Sequence, residues 1–256
     1  MLRRVLDNHE KNKRIVSALE AVREKGFKMK KQVSALYMMF GLFFALCLVV
    51  ANIVEQKLIS IGPIEATAGL LIFPLSYIVN DVIAEVWGFK KVRLVIWGGF
   101  AMNFLAVIIF QLAILAPGSE NFSAQHQQAF ALVLGNTLRI SMASLAAFLC
   151  GSFINAFVMS RMKQWSQGRG FSKRAVVSTL FGEGADSLVF FTLAFSGVIP
   201  TRDLIILIGT QALMKTGYEI LVLPITNIVV RYVKRIEGED VIDVNISYNP
   251  LKLTDL

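Results

Sequence analysis

Residues 35–54 read ALYMMFGLFFALCLVVANIV, twenty positions without one charged side chain. An α-helix rises about 1.5 Å per residue, so about 20 such residues cross the ~30 Å hydrocarbon core of a bilayer. Outward from this stretch the pattern recurs. Further apolar runs cover about 66–87, 94–116, 138–159, 175–198 and 204–230. Pro117 and Gly118 end the third run, and Pro200 lies just past the fifth. The expected fold is an all-α membrane protein of six transmembrane helices, bounded as 34–235. A basic arm over 1–33 precedes it and a polar tail over 236–256 follows.

Composition agrees with this reading. The chain of 256 residues is 55% hydrophobic and only 17% charged, against roughly 25% charged for a soluble domain. Mean hydropathy is +0.60. The net charge of +8 sits beside apolar runs, which points to lipid and topology rather than nucleic acid. Cys47 and Cys150 lie inside apolar runs, and His9 and His126 are far apart, so no disulfide, metal centre, cofactor or catalytic group is expected. The first 33 residues lack the apolar core of a cleavable signal peptide. Leu2, Val5, Leu6, Ile15, Val16, Leu19 and Val22 fall near helical spacing among ten basic and four acidic residues. That describes an amphipathic helix on a cytoplasmic membrane surface, or a solvated arm.

Loop charges set the orientation. Lys and Arg crowd the N-terminal arm, the stretch with Lys90, Lys91 and Arg93, the segment from Arg161 to Arg174, and the tail from Arg231. The alternate loops are poor in them, with no Lys or Arg between Pro117 and Thr137. The alternation predicts both termini in the cytoplasm. The outer loop at 117–136 is long enough for a short interfacial helix, and the stretch from Glu237 is expected to be mobile.

Ionisable groups within apolar spans are costly and mark cavities or partners. The fifth run reads RAVVSTLFGEGADSLVFFTLAFSGVIP, residues 174–200. Glu183 lies roughly 12 Å and Asp186 roughly 17 Å from its cytoplasmic end. Their spacing of three places both carboxylates on one face, and Gly182 and Gly184 let another backbone or a ligand approach. Lys215 in the sixth run is expected level with Asp186, and Glu219 level with Glu183. Gly217 and Pro224 are positions that can loosen that helix. In the second run, Asn80 and Asp81 lie in the inner half, and Glu85 is expected to pair with Lys90 or Lys91 at the interface. Asn52, Asn103, Asn155 and Gln211 add neutral polar groups. Each also has a simpler reading as glue between helices, and Asp186 with Lys215 as a structural ion pair. Phe190, Phe191 and Phe195 serve packing as readily as stacking.

Several of these stretches resemble one family. FPLSYIVNDVIAEVWG at 73–88 is similar to the second-helix motif of the queuosine precursor transporters, also called vitamin uptake transporters. Residues 139–144, Ser178–Thr179 with GEGADSLVFFTLAFSG at 182–197, Lys215 with Pro224, and Ala51–Asn52–Ile53 with Lys57 resemble its other helices. Asn155 stands where that family often has Asp, and Asn80 where Ser is common. The resemblance spans about residues 35–235. It implies a multi-pass inner-membrane importer of 7-deazaguanine bases for tRNA-modification salvage, by facilitated or proton-coupled secondary transport. Such a base presents a ring N–H beside an exocyclic amine, and one carboxylate accepts both. Glu183 or Asp186 suits that role, with amides of Asn52, Asn80, Asn155 or Gln211 for the carbonyl edge. Phe190 or Tyr218 suits the ring face, Lys215 the charge balance, and Asp81 and Glu219 complete the candidate set. Three spans plus three, with acidic motifs in the second and fifth, suggest an inverted repeat, and Gly98 and Gly99 suggest a homodimer face. Two other classes stay open: a membrane component energised by a separate ATPase, and an intramembrane enzyme using Glu183 and Asp186. No nucleotide-binding motif is present. A pure scaffold leaves the buried charges unexplained.

Overall fold

The computed structural model describes residues 33–55, 57–61, 64–119, 123–135 and 138–252. The predicted amphipathic helix of the basic arm lies outside them. By compactness the chain divides into Met1–Met38 and Met39–Leu256. In the first unit, Ser34 Oγ accepts from the Tyr37 amide at 3.3 Å and caps the opening of α1, Ala35–Val54. The second unit holds everything described below.

After α1 come β1 (Leu58–Ile61) and β2 (Ile64–Thr67), an antiparallel hairpin pairing Leu58 with Thr67 and Ile61 with Ile64. A short 3-10 turn, Ala68–Leu71, leads into α2, Phe73–Leu115. The second run was expected to be helical from residue 66. Alternating Leu, Ile and Ser around Gly62–Pro63 favours strands there instead. Then follow α3 (Ala124–Leu134), α4 (Leu138–Trp165), α5 (Phe171–Phe195) and α6 (Thr201–Glu237). The expected short helix of the long loop is α3. Pro224 sits inside α6 without ending it. Among the described residues, five helical stretches are long and apolar enough to cross a membrane: α1, α2, the run Ala124–Trp165, α5 and α6.

α2 is 43 residues long but not straight, because Gly88 breaks it with φ 81 and ψ 176. The sequence suggested a loop carrying Lys90, Lys91 and Arg93. These residues are helical, and one glycine makes the whole break. Only glycine enters this left-handed region freely. A Cβ here would also lie 2.7 Å from Asp243 Oδ1 and 2.9 Å from Val241 Cγ1. Contacts with α1 show that the chain reverses at this point. Before Gly88, Gly69 lies against Glu55 and the Trp87 ring lies 6.0 Å from that of Phe40, so this half descends α1. After it, Val95 faces Gly41, Gly99 faces Phe44 and Leu48, and Asn103 Oδ1 accepts from Asn52 Nδ2 at 2.7 Å, so that half ascends. Gly99 is therefore spent inside the chain, since a Cβ would sit 2.8 Å from Phe44 Cε1. Gly98 faces open space.

α4 and α5 pack antiparallel. Arg139 donates to the carbonyls of Leu193 at 2.8 Å and Ser196 at 2.7 Å at one end, and Asn155 donates to Thr179 Oγ1 at 3.4 Å further along. Small residues let them approach. A Cβ on Gly182 would lie 2.7 Å from Asn155 Cβ and 3.0 Å from the Gly151 carbonyl. α6 runs antiparallel to α5, with Asn227 Nδ2 donating to Ser172 Oγ at 2.9 Å.

The molecule is inverted relative to a soluble protein. Met102, Leu105, Ile109 and Leu112 on α2, and Ile206, Leu213, Leu221 and Ile225 on α6, are exposed, while Asp81, Glu85, Arg93, Lys163, Arg174, Glu183 and Glu219 are buried. Apolar side chains facing outward and polar ones facing inward are what a hydrocarbon surround requires. The protein is a multi-pass membrane protein.

Two expectations are corrected at the Gly88 end. Glu85 does not pair with Lys90 or Lys91. Arg174 Nη2 holds both its oxygens at 2.7 Å, Lys234 Nζ lies at 2.6 Å and Lys163 Nζ at 3.8 Å. The reversal at Gly88 puts Lys90 and Lys91 on the next helical stretch, whereas three neighbouring helices converge on Glu85. Nor is the stretch after Glu237 loose as far as Lys252. The Asp243 carboxylate accepts from the Phe89 amide at 2.9 Å and Ser160 Oγ at 2.5 Å, and Val241 N donates to the Val86 carbonyl at 3.1 Å. Arg93 Nη1 donates to the Asn249 carbonyl at 2.9 Å, Trp97 Nε1 donates to the Pro250 carbonyl at 2.8 Å, and the Tyr248 ring meets Phe89 and Phe157 edge-on, each at 5.0 Å. Backbone groups left open where Gly88 interrupts the helix find partners in the tail.

Candidate substrate site

At the end of the bundle opposite Gly88, the helices part around a cavity of about 300 Å³. Its walls come from the last turn of α1 (Asn52, with Glu55 beyond it), the start of α2 (Phe73, Pro74), the start of α4 (Ile140, Ser144, Ala147), the end of α5 (Asp186 to Phe195) and the start of α6 (Leu207 to Lys215). Starts and ends of helices meet there, because the antiparallel packing alternates their directions.

The charged part of the wall is built by α5 and α6. Asp186 and Glu183 sit three residues apart on one face, and Leu180, Phe181 and Leu188 on the other face are exposed. Lys215 Nζ reaches across to Asp186 Oδ2 at 2.9 Å and Glu183 Oε2 at 3.0 Å. It also lies over the Phe73 ring, 4.1 Å from the centroid, a distance at which the ring face attracts a cation. The cluster sets two carboxyl groups against one ammonium. One turn further along α5, the rings of Phe190, Phe191 and Phe195 form a mutual cluster, with Phe191 and Phe195 stacked at 5.8 Å and Phe190 edge-on to both.

Of the residues singled out from the sequence, the structure puts Asn52, Asp186, Phe190, Gln211 and Lys215 on the cavity wall. Glu183 lies directly behind, tied through Lys215. Asn80, Asp81, Asn155, Tyr218 and Glu219 line no part of it. Asn80 and Asn155 instead bond each other at 3.0 Å between α2 and α4. Sequence reading did not single out Glu55, Ser144, Ser187 or the ring of Phe73 as site residues. Glu55 had a signal, being an acid three residues beyond Asn52 at the end of an apolar run. Phe73 had none, since an aromatic at a helix start is commonplace. Gly69 packs against Glu55, with a virtual Cβ 3.2 Å from Glu55 Cβ, and so fits the 3-10 turn to the cavity rim.

A mostly apolar cavity with a few charged groups, let into helices of membrane-spanning length, fits one class: a membrane protein that admits a small solute, as a transporter does. Residues 67–229 match the family described as "Putative vitamin uptake transporter", and the chain belongs to that family. It is 25% identical over 178 residues to the "Probable queuosine precursor transporter" of Bacillus subtilis, covering 69% of this chain and 76% of that one. It is 28% identical over 172 residues to the "Queuosine precursor transporter" of Escherichia coli, covering 66% and 72%. A Haemophilus influenzae relative named "Probable queuosine precursor transporter" is 28% identical over 132 residues, 51% of this chain and 52% of that one. No solved structure matches the fold. These relatives are named as transporters, not enzymes.

Proposed function

We propose that the chain imports queuosine precursors, bases of the 7-deazaguanine type, across the cytoplasmic membrane as a six-helix secondary carrier. The observation that carries this reading is the cavity itself, lined by the Asp186–Lys215 pair, with Glu183 behind it, and by three phenylalanine rings. The volume of about 300 Å³ lies at the lower edge of the usual range for small-molecule sites, about 300–1,000 Å³, and suits a two-ring base. Asp186 accepts the ring N–H and exocyclic amine side by side, Gln211 meets the carbonyl edge, and the Phe190 cluster covers the flat face. Lys215 balances the carboxylates while the site is empty and shifts as the base displaces it.

The reversal at Gly88 supports counting α2 as two crossings, six in all. The basic residues around the Gly88 end support a cytoplasmic position for that end, and in this reading the cavity opens outward. Buried charge locked by Arg174, Lys234 and Lys163 around Glu85 closes the inner end.

The test is uptake of labelled 7-deazaguanine bases by the purified full chain in proteoliposomes. Asp186→Asn and Glu183→Gln should each lower uptake at least tenfold, with normal insertion. Full uptake by both variants defeats the reading. Uptake in cells but none by the purified chain assigns it instead to a component driven by a separate ATPase.

A further inference from the structure

One helical turn from the cavity cluster lies a second acidic pair that base recognition does not use. Asp81 on α2 and Glu219 on α6 are both buried, and their carboxyl groups meet side chain to side chain. Among the described residues, none of their four oxygens has a hydrogen-bonded protein donor, although Asn155 of α4 and Thr179 of α5 lie beside them. A carboxyl oxygen donates to another only when protonated. Two bare carboxylates in contact away from water would repel without compensation.

The cations that reach this part of the bundle are committed elsewhere. Lys215 is held by Glu183 and Asp186, and Arg174 and Lys234 are held by Glu85. The charged groups facing the pair are themselves acidic: Glu85 from α2 and Glu183 from α5. Tyr77 of α2 also feels Glu219. The positive charge that this contact needs is therefore a proton.

The pair also has the position a relay needs. Tyr77, Asp81 and Glu85 recur every four residues on one face of α2, as do Lys215 and Glu219 on α6. Ionisable groups thus step from the cavity wall, past Glu183 and Tyr77, to the pair, and on to Glu85 at the closed end. The Tyr77 hydroxyl is buried without a hydrogen-bond partner among the described residues and sits in the crevice between Gly151 and Gly182.

We propose that Asp81 and Glu219 form a proton-binding site whose loading and discharge couple base import to proton entry. The inference rests on the carrier reading above. One proton enters from the cavity and is shared by the two carboxyls while the cavity faces outward. It leaves toward the Glu85 end when the closed end opens.

The experiment uses the full chain in proteoliposomes containing a pH-sensitive dye, with labelled 7-deazaguanine base outside. The wild type should accumulate base about tenfold per unit of imposed pH difference at one proton per base, and added base should acidify the lumen. Asp81→Asn and Glu219→Gln should keep base-for-base exchange while accumulation falls to about one and base-dependent acidification disappears. Variants that accumulate base as the wild type does overturn the proposal. So does a wild type that exchanges base without moving protons, a measurement independent of whether either variant folds. Accumulation driven by a sodium gradient instead of protons overturns it as well. If the wild type exchanges no 7-deazaguanine base, the carrier reading itself fails, and that result differs from exchange without proton movement.

Discussion

Lys215 shows how much of the site depends on single atoms. Its ammonium binds Asp186 and Glu183 at 2.9 and 3.0 Å and rests on the Phe73 ring. Lys215→Met keeps the stem and removes the charge, leaving two buried carboxylates uncompensated. Breaking a buried pair in this way costs about 3–5 kcal/mol. The detergent-solubilised variant should unfold at a clearly lower temperature and lose base uptake. Adding Glu183→Gln to it should recover part of the stability, since one excess charge then goes. An unchanged midpoint in thermal unfolding would show that the ion cluster is not a stability element. The sequence made this triad legible, because charges within apolar runs have few places to go. It did not reveal that Asp81 and Glu219 meet each other rather than the cavity. Their four oxygens lie on helices distant in sequence, and only the packing of α2 against α6 brings them together.

At the scale of elements, the close approach of α4 and α5 depends on Gly151 and Gly182. A Cβ on Gly151 would lie 2.8 Å from Asp186 Cβ and 2.9 Å from the Gly182 carbonyl. Gly182→Ala and Gly151→Ala should each destabilise by about 1–3 kcal/mol, the usual cost of overpacking. Gly98→Ala and Gly184→Ala, where a Cβ meets open space, should be neutral or gain up to about 1 kcal/mol from helix propensity. Thermal unfolding of the four variants side by side checks this, and equal losses in all four would contradict it. The glycines flanking Glu183 looked equivalent in the sequence. Gly182 turns to α4 and Gly184 to open space, a distinction set by the rotation of α5 about its axis. The break of α2 was likewise half legible: a reversal between two apolar runs was expected, but not that one residue would make it while Lys90, Lys91 and Arg93 stayed helical.

Across the whole molecule, the tail joins the Gly88 end to the bundle. Asp240 is salt-bridged to Lys163 at 2.5 Å and Lys234 at 2.8 Å. Partial burial acts to raise its carboxyl, but hydrogen bonds and charge from these two lysines outweigh that and hold it below the ordinary carboxylate range. A group depressed on folding stabilises above its unfolded value, near pH 4, and that contribution is lost as pH falls through the lower folded value. Limited proteolysis should therefore find the tail protected at neutral pH and cut progressively faster below about pH 4. Asp240→Asn should flatten this acid dependence. A tail equally protected in both chains at every pH would rule the clasp out. Asp243→Asn should loosen the tail at neutral pH as well, because its carboxylate ties Phe89 N and Ser160 together.

Amino-acid order alone indicated that this chain lives in a bilayer, which stretches are apolar enough to cross it, and which carboxylates and lysine lie within them. Hydrophobic length and charge placement are local properties, readable along a line. Tertiary packing decided which acids share a cavity, which pair with one another, that Glu85 takes its partners from three helices, and that the tail is anchored. Those outcomes depend on how each helix is turned toward its neighbours, and side chains remote in sequence fix that rotation only when all of them are packed at once.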